Sequence, residues 1–140
     1  MADLHALIRL HKHELDEKRR ALAELYAALA ELERRRRDLQ RAFEAEKEAV
    51  RNTGDIHFTF AQYAETVSQS FKEMDTAEAE LEDLVTKGKD SLMETFSELK
   101  KYEMTQEERD RLEEEERLFR ENQTLDAIGL EGFRRKTEES

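Results

Sequence analysis

A heptad repeat of apolar residues runs without a slip from Leu4 to Val50. Steps of four and three residues define 14 seam positions, and ten of them are apolar. The apolar positions are Leu4, Ile8, Leu15, Leu22, Leu25, Leu29, Leu32, Leu39, Phe43 and Val50. The remaining four are His11, Lys18, Arg36 and Glu46. Seven heptads in succession, in a chain without proline, predict a long coiled-coil helix.

A second seam of similar length runs from Phe60 to Tyr102, with ten apolar positions of thirteen. Its interruptions are Glu78, Gly88 and Thr95. Because the two seams match in length, we expect the chain to fold back on itself. Facing residues then have numbers that add to about 110, which pairs Leu29 with Leu81 and leaves Arg36 one layer from Glu78. The predicted fold class is therefore all-α, a long antiparallel two-helix coiled-coil hairpin.

Capping signals set the expected boundaries of a single elongated domain, residues 1–140. Asp3 is suited to the N-cap of helix 1, and Gly54 to the residue that ends it. Thr59 with Gln62, and Thr105 with Glu108, have the spacing of a capping box. Phe58 and Tyr63 have the spacing of a hydrophobic staple. The predicted segments are helix 1 (about 3–52), a connector (53–59), helix 2 (about 60–104), an overhanging acidic helix that continues or restarts (106–122), and a weakly ordered tail (123–140).

The charge distribution and the missing residue types exclude several functions. The net charge is −11, and residues 52–140 alone carry −12, so nucleic acid and anionic lipid are disfavoured as partners. The chain has no cysteine, and its four histidines lack metal-ligand spacing. The run Glu113–Glu116 has no predicted pocket, and no segment is apolar enough for membrane insertion. We therefore expect no enzyme activity, no cofactor and no metal. The basic cluster Arg34–Arg37 is interpreted as an ion-pair belt or a site for an acidic protein.

Apolar residues outside the seams are the candidate binding residues. Leu7 and Leu10 lie off the helix 1 seam, and Leu118 and Phe119 lie in the overhang, so both pairs are expected near the open end of the hairpin. Two interpretations remain open: these residues bind a partner, or the overhang folds back and buries them. At the tip, Phe58 and Tyr63 are candidates for a second contact surface, although the staple accounts for them equally well.

Both ends of the sequence resemble the FliJ family of flagellar type III export proteins. The resemblance rests on the opening residues 4–10 (LHALIRL), on the DEKRR stretch at 16–20, and on LDAI at 125–128 with FRR at 133–135. It spans nearly the whole chain.

The resemblance implies a non-enzymatic stalk and adaptor that is needed for flagellum assembly and motility. The implied partners are the export ATPase ring at the open end, the membrane protein of the export gate towards the tip, and export chaperones. The implied location is cytoplasmic, peripheral at the cytoplasmic face of the inner membrane at the flagellar base. The alternative is a generic coiled-coil scaffold or holdase chaperone. A nucleic-acid-binding rod is a third possibility, and its binding would collapse with added salt.

Overall fold

The computed structural model describes residues 4–53 and 58–139, which form two helices. Helix α1 spans His5–Thr53 and helix α2 spans Phe58–Glu139. No strand occurs among the described residues. The two helices pack against each other, which confirms the predicted all-α hairpin.

The chain divides into two compact units, and each contains a part of both helices. The larger unit, His13–Phe96, is an antiparallel helix pair. Leu22 faces Gly88, and Arg36 contacts Asp75, so facing residues have numbers that add to values near 110, as predicted.

Burial follows the two predicted seams closely. In α1 every seam position except Glu46 is buried or half-buried, and in α2 all thirteen positions are. The most buried apolar side chains of the larger unit are Leu15, Val67 and Val85. A two-helix pair has no third layer to cover it, so most seam residues keep part of their surface in water.

The smaller unit combines the start of α1, up to Lys12, with α2 from Ser97 onward. The Leu4 backbone N–H donates to Gln106 Oε1 at 3.3 Å, and the rings of His11 and Tyr102 stack with centroids 5.0 Å apart. Ile8 and Leu99 are the buried apolar residues of this unit. Within this unit the facing residues again have numbers that add to values near 110.

The capping box predicted at Thr59 is wrong, and at Thr105 the helix continues, which is one of the two alternatives predicted for residues 106–122. Helix α2 already begins at Phe58, so Thr59 lies inside its first turn. At the second site the Thr105 hydroxyl donates to the Lys101 carbonyl at 2.8 Å, which is the bond that a threonine makes inside a continuous helix. The predicted caps Asp3 and Gly54 lie outside the described residues, as does most of the connector.

The C-terminal segment also differs from the prediction, because α2 is helical without interruption to Glu139. The predicted weakly ordered tail over 123–140 rested on Gly129 and Gly132. Each glycine inside a helix costs only about 1 kcal/mol relative to alanine. Ion pairs within the helix, such as Arg134 with Glu131 at 2.7 Å, favour the helical state of the same segment.

Candidate partner-binding surface

The predicted seam of α2 ends at Tyr102, and its spacing continues in the structure through half-buried Gln106 and Arg109. Residues 110–139, here called the extension, are exposed at every position except Glu131. Its large apolar side chains are between 46% and 72% exposed. They are Leu112, Leu118, Phe119, Leu125, Ile128, Leu130 and Phe133. The interpretation in which the overhang folds back and buries these residues is therefore wrong.

Ion pairs along the helix support the extension where it has no core. Arg111 pairs with Glu108 one turn before it and with Glu115 one turn after it, and Arg117 pairs in the same way with Glu114 and Glu121. Hydrogen bonds from these arginines lower the pKa of Glu108 and of Glu114 below the usual value. Because the partners lie three and four residues apart, each pair forms only while the segment is helical.

Leu7 and Leu10, the first pair of candidate residues, lie on the opening turns of α1. Leu7 is half-buried, whereas Leu10 is 51% exposed. The Leu4–Gln106 contact fixes the register of this unit. Leu118 lies twelve residues beyond Gln106, which is roughly 18 Å along an α-helix. The candidate residues at the open end thus form two separate exposed patches along the helix direction, Leu10 on one and Leu118 with Phe119 on the other.

At the start of α2 the two candidate aromatic residues have different surroundings. Tyr63 is half-buried, and its ring lies 6.2 Å from that of Phe43 on α1. Phe43 also stacks on Phe60 with centroids 6.0 Å apart. Phe58 is 78% exposed. Tyr63 therefore belongs to an aromatic cluster between the helices, and Phe58 is the candidate that remains available to a partner.

A polar contact between the helices joins two positions that the sequence marks only as seam interruptions. Lys18 Nζ donates to Thr95 Oγ1, and it lies 3.4 Å from the Ser91 carbonyl oxygen. Thr95 is 3% exposed, so its hydroxyl depends on this partner. The predicted register already places this part of α2 opposite Lys18, so the contact could be expected from the sequence.

Three arginines of the basic cluster Arg34–Arg37, namely Arg34, Arg35 and Arg36, are engaged in ion pairs. Arg36 reaches across to α2, with its guanidinium nitrogens 2.6 Å from Asp75 and 2.7 Å from Glu78. The hydrogen bond to Asp75 raises the pKa of Arg36. Arg34 pairs within α1, at 2.6 Å from Glu31 and 2.9 Å from Asp38. The ion-pair belt, one of the two interpretations of this cluster, is present, and Arg36 helps to hold the helices in register.

Within residues 4–53 and 58–139, no group of three or more histidine, aspartate or glutamate side chains could hold a metal ion. Over the same residues, neither helix contains a stretch apolar and long enough to cross a bilayer. No protein-family model, curated protein or solved structure matches the chain. Among the described residues, seven of the exposed large apolar side chains lie in the extension.

Proposed function

We propose that this protein is a non-enzymatic component of the flagellar type III export apparatus. It acts as a stalk and adaptor that links the export ATPase ring to the membrane export gate and assists export chaperones, and it is needed for flagellum assembly and motility. The sequence resemblance to the FliJ family motivates the proposal. The structural observation that supports it is the extension, a long helix with large apolar side chains exposed to water.

The distribution of these side chains around the helix favours a partner that encloses it. At about 100° per residue, Leu118 and Leu112 point roughly 120° apart, and Ile128 points in a third direction. A flat surface or a single groove would cover only one of these directions. The central hole of a ring can contact the helix on all sides, and exposed apolar surface of this extent is typical of a binding site.

The paired part of the molecule suits a mechanical role in this proposal. Contacts such as Arg36 with Asp75 and Lys18 with Thr95 tie the two helices together at several levels. A stalk of this kind does no bond chemistry, and it couples two partners through contacts that differ between their states. Phe58, exposed at the start of α2, is the candidate residue for the gate contact. The proposed location is the cytoplasmic face of the inner membrane at the flagellar base.

The proposal is tested by the double substitution Leu10→Ser with Phe119→Ser. Both side chains are more than half exposed, so the helical content measured by circular dichroism should not change. Capture of the flagellar export ATPase by the purified variant should weaken, and swimming motility of cells that carry it should decrease. The matched control is Met93→Ser, which removes a side chain that is 60% exposed outside the extension. Full binding and motility in the double variant would contradict the proposal.

A generic scaffold or holdase is the second candidate, and it is favoured by exposed apolar residues outside the extension. Leu84 is 47% exposed and Met93 is 60% exposed, both in the larger unit. A holdase would suppress aggregation of unrelated unfolded proteins, and its activity would fall when these residues are changed to serine. A dedicated stalk would bind the ATPase ring and would leave such aggregation unaffected.

A further inference from the structure

One face of the extension has the spacing of a coiled-coil seam without a partner in the chain. Leu118, Asn122, Leu125, Gly129 and Gly132 follow one another at steps of four and three residues. At about 100° per residue they lie within an arc of roughly 80°. All five are exposed. This face has the geometry that packs against another helix.

The net charges of the segments at the two ends of this face are opposite, so they complement those of a second, antiparallel copy. Residues 107–116 contain seven acidic and two basic side chains, a net charge of −5. Residues 127–136 contain three basic and one acidic side chain, a net charge of +2. An antiparallel pair centred near Asn122 places these two segments opposite each other. A parallel pair would place the acidic segment of one copy beside that of the other, which like-charge repulsion disfavours.

We propose that the extension is a self-association surface, on which two copies of this chain pair as antiparallel helices. In this register Leu118 of one copy faces Leu125 of the other, and the two-fold axis produces this layer twice. Asn122 lies beside the axis, where a single polar seam residue sets the register of a helix pair. The segments 107–116 and 127–136 form the charged flanks at both ends.

The glycines fit the same register. Gly129 faces Glu115 of the second copy, and Gly132 faces Arg111 of the second copy. A Cβ atom added at either glycine would meet nothing within 4 Å in the single chain, so the packing of one chain does not require glycine there. In the pair, the missing side chains leave room for the long side chains opposite.

Self-association would compete with the binding of other partners to the extension. Pairing covers Leu118 and Leu125, and Leu118 is also one of the residues assigned above to ring binding. The dimer is therefore a form in which the apolar face of the extension is hidden from other partners. The inference does not depend on the proposed function, because it rests on the extension alone.

Sedimentation equilibrium of the purified full chain tests the association. We expect a monomer–dimer equilibrium, and we expect Leu118→Ser with Leu125→Ser to weaken it by at least about tenfold, since two apolar layers lose their buried leucines. The matched control is Leu112→Ser with Leu130→Ser, on another side of the same helix, which should leave the equilibrium unchanged. A chain that stays monomeric at its highest soluble concentration would overturn the proposal. An equal loss in both double variants would overturn the assigned face.

Disulfide crosslinking tests the antiparallel register, because the natural chain contains no cysteine. The thiols of Glu115→Cys and Gly129→Cys would face each other between copies. In a pair of Glu115→Cys chains, by contrast, the two thiols would lie roughly 20 Å apart at 1.5 Å per residue. Under mild oxidation, a mixture of the two variants should form a covalent dimer that neither variant forms alone. Asn122→Cys should crosslink to itself. Rapid self-crosslinking of Glu115→Cys alone would indicate a parallel pair and would overturn the proposal.

Discussion

Helix α2 has two parts with different surroundings. Between Phe60 and Arg109 its seam lies against α1, and its polar residues make contacts across the pair, as Thr95 does with Lys18 and Glu78 with Arg36. In the extension, Arg111 and Arg117 instead bind carboxylates of their own helix. The heptad pattern is thus buried between the helices in the first part, and in the second part it is exposed.

The glycines show the same difference. An added Cβ at Gly88 would lie 3.3 Å from Leu22 Cδ1 on α1, so the missing side chain gives the leucine room. At Gly129 and Gly132 an added Cβ would meet nothing within 4 Å. Glycine therefore has a packing role at Gly88. Within a single chain it has none at Gly129 and Gly132.

The largest expected difference between the two parts concerns leucine truncation. Leu15→Ala removes a side chain that is 5% exposed and should lower the free energy of unfolding by about 2–5 kcal/mol. Leu125→Ala removes one that is 64% exposed and should change it by less than about 0.5 kcal/mol. Urea denaturation followed by circular dichroism, at a concentration where the chain is monomeric, measures both. Similar losses would mean that the extension belongs to the core.

Threonine substitutions should also change the free energy of unfolding more in the paired part of α2 than in the extension, but by a smaller amount. Thr95→Val removes the buried acceptor of Lys18 and should cost about 1–3 kcal/mol, while Thr95→Ser retains the hydroxyl and should cost less. Thr124 in the extension donates to the carbonyl of Arg120 and is exposed, so Thr124→Val should stay within about 0.5 kcal/mol. The same denaturation assay applies. Equal effects at the two threonines would show that the Lys18 contact does not contribute to stability.

Alanine in place of glycine should also affect the two parts of α2 differently. Gly129→Ala should favour the helical state of the extension by about 1 kcal/mol in the monomer, because alanine has the higher helix propensity and meets no obstacle. Gly88→Ala should gain less, because Leu22 has to move by a few tenths of an ångström. Thermal melting of the monomer measures both variants. A larger gain at Gly88 than at Gly129 would contradict the packing described for the pair.

The smallest expected effect is on the pH dependence of the extension. The arginines lower the pKa of Glu108 and Glu114 in the folded chain. The helix support from these carboxylates is therefore complete above their ordinary pKa of 4.5 and is lost as the pH falls through the lowered values. Helicity should decrease slightly below pH 4.5, less so at high salt, because both groups are exposed. Arg117→Gln should reduce this decrease, and an unchanged acid profile in that variant would show that the Glu114 pair has no effect.

The antiparallel register could be predicted from the sequence because Leu22, Arg36 and their neighbours repeat at a fixed spacing over many heptads. Local capping signals were less reliable. Thr59 and Thr105 match a capping box, yet the hydroxyl of Thr105 bonds back to the Lys101 carbonyl, which satisfies it without ending the helix. A short motif shows only which hydrogen bonds a side chain is able to make. The tertiary contacts on either side of it decide which of these bonds forms.

The candidate surface could be predicted only in part. Leu118 and Phe119 were recognised because they lie outside the seams, and the structure leaves both exposed. Tyr63 is a candidate because the sequence places it at the tip beside Phe58, but it packs on Phe43, because an aromatic residue near a helix start can turn towards either the solvent or the second helix. The antiparallel register also predicts that Leu10 and Leu118 are separated along the helix direction. Composition alone does not predict this separation.

Amide hydrogen exchange along α2 tests most directly whether the helix changes from a paired to an unpaired state at Arg109. The full chain is diluted until sedimentation shows a monomer, and exchange is read by mass spectrometry of peptides that cover α2. We expect slow exchange around Val85 and Leu99, which are buried in the pair, and fast exchange throughout residues 110–139, where opening breaks only contacts within the helix. Protection of residues 110–139 equal to that around Val85 would contradict the account.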